Sequence, residues 1–87
     1  MIITTTDTID RYRIIKYLGI IAISKDPKEF FGGINIDKLT ERIESEAIEK
    51  YGAETNAIVG LRFFKYDITS DGNVMAYGTA VKIEEKP

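Results

Sequence analysis

A strand on the surface of a small protein normally turns one face to water, and the run YRIIKYLGIIAIS, Tyr12 to Ser24, has no such face. Divided by strand alternation, one side carries Ile15, Tyr17, Ile21 and Ile23 and the other Ile14, Leu18, Ile20 and Ala22, with Lys16 as the main polar interruption. Both sides call for burial, so whatever this chain folds into must cover a sheet twice. The chain is short for that task. Its 87 residues make one domain spanning 1–87, and a chain of this size hides only about 60–65% of its extended surface on folding.

The elements available for covering follow from the rest of the sequence. After Met1, IITTT is β-branched throughout and reads as a short extended segment, which ends at Asp7 in a polar link. The long strand runs from about Arg11 to Ser24 and stops at SKDPKEFFGG. There Asp26 followed by Pro27 suits a single helical turn, and Phe30 and Phe31 are its anchors to the core. From Ile36 the period changes: Ile36, Leu39, Ile43, Ala47 and Tyr51 recur at helical spacing, with charged residues between them. Asn35 or Asp37 can cap this helix, Gly52 suits the left-handed position beyond its end, and Glu46 and Lys50 form a favourable i,i+4 pair. NAIVGLRFFKYDI, TSDGN and VMAYGTAVKIEE then read as strand, tight turn and strand.

The order is strand, helix, strand, strand: an α+β chain in a βαββ arrangement. A right-handed crossover lets the third long strand insert between the first two, giving a three-stranded antiparallel sheet in the order 1-3-2, with 1-2-3 as the alternative. Ala76, Gly78 and Ala80 favour the first order, because small residues suit a crowded central strand.

One helix covers one face of such a sheet. The later strands repeat the difficulty of the first, with Ile58, Phe64 and Tyr66 opposing Val59, Leu61 and Phe63, and Met75, Tyr77, Val81 and Ile83 opposing Val74, Ala76 and Ala80. The remaining apolar surface reaches or exceeds the roughly 300–600 Å² that monomers show. The expectation is therefore a closed homo-oligomer, with Ile14, Leu18, Ile20, Phe64, Tyr66 and Tyr77 at the subunit contacts. The alternative is a monomer in which IITTT and KEFFGG fold over the second face.

Composition removes several function classes. With 12 basic and 14 acidic side chains and no histidine, the chain has no electrostatic footprint for nucleic acid or an anionic membrane, and no apolar run approaches a bilayer span. GLRFFKY interleaves basic and aromatic residues, but core and interface packing explains it better than an RNA platform. The absence of cysteine fits a cytoplasmic protein and, with no histidine, removes the usual soft metal ligands and leaves no nucleophile with a recognisable activating neighbour in sequence. No catalytic residue is assigned, and the chain is expected not to be an enzyme. The Glu41, Glu44, Glu46 and Glu49 cluster is a solvated helix face. Asp67 and Asp71 fall on calcium-loop positions one and five, but position twelve is Gly78 and the flanks are strands; they are weak metal candidates in a hairpin turn. Thr4, Thr5, Thr6 and Asp7 are the candidate ligand-binding stretch.

MIITTTDTIDRYRIIKYLGIIAIS, GAETNAIVGLRFFKYDI and VMAYGTAVKIE together resemble the YbjQ-like family, also labelled for heavy-metal binding, over nearly the whole chain. The carriers are TTT with YLG some twelve residues on, GA followed by NAIVGLRF, and YGTAV in the closing strand. The resemblance implies a dodecin-like βαββ fold and homo-oligomeric, often pentameric, rings. It extends more distantly to a small archaeal selenium-binding protein that binds through a cysteine, which this chain lacks. The expectation is a non-enzymatic, cytoplasmic oligomer that binds a small ligand or ion of unknown identity, with a structural or protein-interaction module as the alternative.

Overall fold

The computed structural model describes residues 1–25, 36–65 and 74–87. In chain order the elements are β1 (Ile2–Ile3), β2 (Tyr12–Lys25), α1 (Ile36–Tyr51), β3 (Ala57–Lys65) and β4 (Val74–Glu85). The helix begins and ends where the change of hydrophobic period places it. Its apolar residues Leu39, Ile43 and Ala47 are fully buried, and each large one contributes about 1.5–3 kcal/mol of transfer free energy. Gly52 closes it at φ 82°, and its amide donates to the Ile48 carbonyl at 2.7 Å. The expected turn at Asp26–Pro27, the Phe30 and Phe31 anchors and the Asn35 cap lie outside the described residues.

The sheet has four strands in the order β1-β3-β4-β2, which corrects the expected three-stranded antiparallel sheet. The added strand is Ile2–Ile3, and it runs parallel to β3, with Ile2 opposite Ala57 and Ile3 opposite Ile58. It escapes an argument built on the three long strands because two β-branched residues carry no alternation of their own. The long strands themselves stand first, third, second, with β4 antiparallel to both neighbours. Ala76, Gly78 and Ala80 lie buried on this central strand. At Gly78 a Cβ would sit 2.9 Å from Ile58 Cγ2 and 3.2 Å from the Val59 carbonyl oxygen, so the third-to-second strand packing has no room for a side chain there.

Simple alternation fails in both outer long strands. The β2–β4 register shifts between Ile14 and Lys16 and again between Tyr17 and Gly19, and the β3–β4 register shifts between Val59 and Arg62 around Gly60, which has φ 65°. Each extra residue reverses the side-chain parity beyond it. Leu18, Ile21, Ile23, Ile58, Leu61 and Phe63 thereby gather with the helix in one cluster. On the other side Ala57, Val59, Val81 and Ile83 form a second, smaller cluster, against which Ile2, Ile9, Tyr12 and Ile14 pack. The expected pairing of Leu18 with Ile14 and Ile20 on one face is thus corrected: Leu18 joins the helix side. Ile58 and Phe64, expected to share a face, are likewise separated by the Gly60 bulge, Ile58 being buried in the helix-side cluster and Phe64 exposed.

Candidate functional site

The segment between β1 and β2 is built by its own polar side chains and by the bulge of β3. Thr4 donates its amide to the Ile58 carbonyl at 2.9 Å and accepts from the Leu61 amide at 3.0 Å, while the Thr6 carbonyl accepts from the Gly60 amide at 2.8 Å. Arg62 Nη1 donates to the Thr5 carbonyl. The bulge therefore supplies amides that a regular ladder would have spent elsewhere, and the N-terminal segment uses them. Thr6 Oγ1 donates to the Thr8 carbonyl at 2.6 Å, which leaves Thr4 Oγ1 as donor in the 2.8 Å contact between the two hydroxyls. Thr4 Oγ1 also accepts from the Thr6 amide at 3.2 Å. Two of the three predicted threonines thus direct their hydroxyl protons into the turn that they form; Thr5 is exposed.

Asp7 lies differently. Together with Thr8 and Ile9 it lines a groove of about 300 Å³, which is also lined by Tyr12, Arg13, Ile14 and Tyr17 of β2 and by Lys86. The groove depends on a turn at Arg11, which takes φ 68°, an uncommon conformation for a residue with a side chain. The turn is held from both sides: the Tyr12 amide donates to the Ile9 carbonyl at 3.1 Å, and the Lys86 amide donates to the Arg11 carbonyl at 2.8 Å. Arg13 crosses to the facing residue Glu84, with Nε and Nη2 both directed at Oε1, so it is ion-paired within the chain at an exposed position. The Asp7 carboxylate and the Lys86 ammonium have no hydrogen-bond or ion-pair partner among the described residues.

Of the predicted contact residues, Ile14 is half-buried in the second cluster and Leu18 packs toward the helix. Ile20, Phe64 and Tyr77 are exposed, at 69%, 42% and 39%, and Tyr17 joins them at 70%. Phe64 and Tyr77 meet edge to face with centroids 5.7 Å apart. Tyr66, Asp67 and Asp71 lie outside the described residues. Among the described residues no three acidic side chains come together as ligands for one metal ion, and no helix is long and apolar enough to cross a membrane.

A charge cluster that sequence reasoning missed lies by the helix C-terminus. Lys16 Nζ donates to Glu54 Oε2 at 3.1 Å, and Lys82 Nζ stands 3.9 Å from Oε1. The hydrogen bond from Lys16 and its positive charge hold the Glu54 carboxyl below its ordinary value against an opposing desolvation, with the charge of Lys82 as the weakest contribution. All three side chains are well exposed, so the cluster ties the helix-to-strand loop to the sheet rather than forming a reaction centre. Ile9, Tyr12, Arg13 and Lys86 were also missed as groove residues. They come from both ends of the chain, and only the register of β2 on β4 brings them together.

Comparison with known proteins finds relatives that match over nearly their whole length. It is 35% identical over 107 aligned positions to a UPF0145 protein of Fervidobacterium nodosum, covering 98% of this chain and 97% of the relative. This chain belongs to the UPF0145 family. UPF0145 relatives of Methanocaldococcus jannaschii, 35% identical over 98% of this chain and 94% of theirs, and of Pseudothermotoga lettingae, 36% identical over 98% and 99%, agree. The YbjQ-like resemblance is to this same family. No family model matches the chain. A crystal structure of a DUF74-family protein of unknown function from Pediococcus pentosaceus superposes with a TM-score of 0.58 over 97% of this chain and 98% of that one. At 18% identity it speaks to the UPF0145 fold alone.

Proposed function

We propose that the protein is a non-enzymatic, self-associating small-ligand or ion-binding protein of the cytoplasm, whose copies cover one another's outer sheet face. The observation that carries this reading is that Tyr17, Ile20 and Tyr77 stand exposed on the sheet face opposite the helix, where Tyr77 meets Phe64. Each such side chain buried against a neighbour recovers about 1.5–3 kcal/mol before the cost of association. Cyclic closure is the arrangement that leaves no such face over, and the family resemblance favours five copies in the ring. The groove beside Asp7 supports the binding half of the reading, because Tyr17 belongs both to its wall and to the exposed face. A neighbour seated on that face meets the mouth of the groove, which makes a ligand there a guest at a subunit junction.

Sedimentation equilibrium tests the assembly, with Ile20→Asp as the variant that places a charge in the contact. The wild-type chain is expected as a closed oligomer and the variant as a smaller species with unchanged circular dichroism. A single species at the 9.8 kDa chain mass at micromolar concentration overturns the reading. Calorimetric titration of the assembled protein with divalent metals and oxyanions tests the binding half, and a silent panel counts against it.

A further inference from the structure

The two charges in the groove without a partner among the described residues have opposite sign, and they do not pair with each other. Asp7 comes from the N-terminal segment and Lys86 from beyond β4, and each is fixed by backbone contacts: the Asp7 segment by Gly60 and Leu61 amides, Lys86 by its own amide on the Arg11 carbonyl at 2.8 Å. Arg13, the third charged residue of the groove, already has Glu84 as its ion-pair partner. Besides these charged groups the groove is lined by apolar and phenolic side chains, those of Ile9, Tyr12, Ile14 and Tyr17. A metal ion would meet one acidic ligand and be repelled by Lys86. An inorganic anion would meet Lys86, be repelled by Asp7, and leave the apolar wall unused.

We infer that the groove takes a small zwitterion with an apolar side chain, an α-amino acid in its free form, with its ammonium toward Asp7, its carboxylate toward Lys86 and its side chain on the Ile9, Ile14 and tyrosine wall. This deepens the ligand-binding half of the proposed function and rests on it. A single molecule carrying both charges neutralises both side chains at once, and burying an uncharged side chain against the wall adds the selectivity for size that a cleft of about 300 Å³ allows. The left-handed turn at Arg11 fits this use, since backbone held in a sparsely populated region is found where a site must be kept in one shape.

The test is amide chemical-shift titration of the intact ¹⁵N-labelled protein. Leucine and phenylalanine are compared with their decarboxylated amines, with the matching carboxylates that lack the amine, with glycine, and with inorganic phosphate and zinc. The expected result is saturable shifts at Ile9, Tyr12, Ile14, Tyr17 and Lys86 with leucine or phenylalanine, weakened about tenfold for either single-charge analogue and for glycine. Asp7→Asn should abolish the advantage of the amino acid over the carboxylate, and Lys86→Gln its advantage over the amine, with the rest of the spectrum unchanged. Binding of phosphate or zinc at these amides without binding of either amino acid overturns the inference and leaves the ligand-binding reading standing. Silence of every probe at these amides overturns the inference, and silence throughout the spectrum counts against the ligand-binding reading as well.

Discussion

Replacing Gly19 with alanine sets the edge strand against the helix. Gly19 has φ 149°, and a Cβ built on it lies 2.3 Å from Tyr51 Oη, 2.7 Å from Cζ and 3.0 Å from Cε1. Tyr51 is not free to retreat without loss, because its hydroxyl donates to the Ile20 carbonyl at 2.8 Å and its ring packs against the helix-side cluster. Three costs therefore act together. A side chain at this positive φ costs of order 1–3 kcal/mol. The lost hydrogen bond costs about 1 kcal/mol, and displacing a packed ring adds to both. Because the strand can relieve φ and the clash by one common shift, the total is expected at about 2–4 kcal/mol rather than at the sum of the extremes. For a domain of this size that lowers the melting temperature by roughly 10–25 °C.

The assay is urea unfolding followed by far-ultraviolet circular dichroism. Wild type, Gly19→Ala, Tyr51→Phe and the double variant are compared at one protein concentration, since association shifts apparent stability. Tyr51→Phe alone removes the hydroxyl and should cost about 1 kcal/mol. The double variant should cost less than the two singles added, because the 2.3 Å contact goes with the hydroxyl while the ring carbon at 2.7 Å remains. A Gly19→Ala protein within about 0.5 kcal/mol of wild type, a change typical of featureless surface positions, refutes the reasoning.

Asn56 extends the ladder with its side chain, donating from Nδ2 to the Ile83 carbonyl at 3.0 Å and accepting the Ile83 amide on Oδ1 at 2.7 Å. Asn56→Ala is expected to destabilise by about 1–3 kcal/mol in denaturant and to raise the hydrogen-exchange rate of the Ile83 amide. Arg11→Gly should be neutral or stabilising by up to about 1 kcal/mol in the same denaturant series, because glycine accepts φ 68° and its gain there offsets the added freedom of the unfolded chain. Glu54 gives a pH dependence: its folded carboxyl titrates below the ordinary value of 4.5, so its contribution is present above that value and is lost as pH falls through the lowered folded one. The stability difference between wild type and Glu54→Gln should be small at pH 7, because the group is exposed, and should disappear once acidification has passed below the lowered folded value.

Much of the fold was legible in local pattern. The helix could be read from Ile36 to Tyr51 because its apolar residues recur at 3.6 and its boundary is marked by Gly52. The central place of the last strand could be read from Ala76, Gly78 and Ala80, since a missing side chain is itself a packing instruction. The candidate site was legible only in part. Asp7 was in view as a polar residue after a β-branched run, whereas Tyr12, Arg13 and Tyr17 were read only as strand and Lys86 not at all.

The sequence by itself determined the elements, their order and the excess of apolar strand surface, because these depend on composition and on periods that neighbouring residues express. The tertiary structure alone decided which face each side chain occupies and which distant residues meet. Three register shifts in β2 and β3 reverse parity part-way along, so Tyr17 faces outward and Leu18 inward against the simple alternation. The physical reason is that a bulge is a property of two strands matched in length across a ladder, as is the juxtaposition of Asp7 with Lys86, and neither strand records it alone.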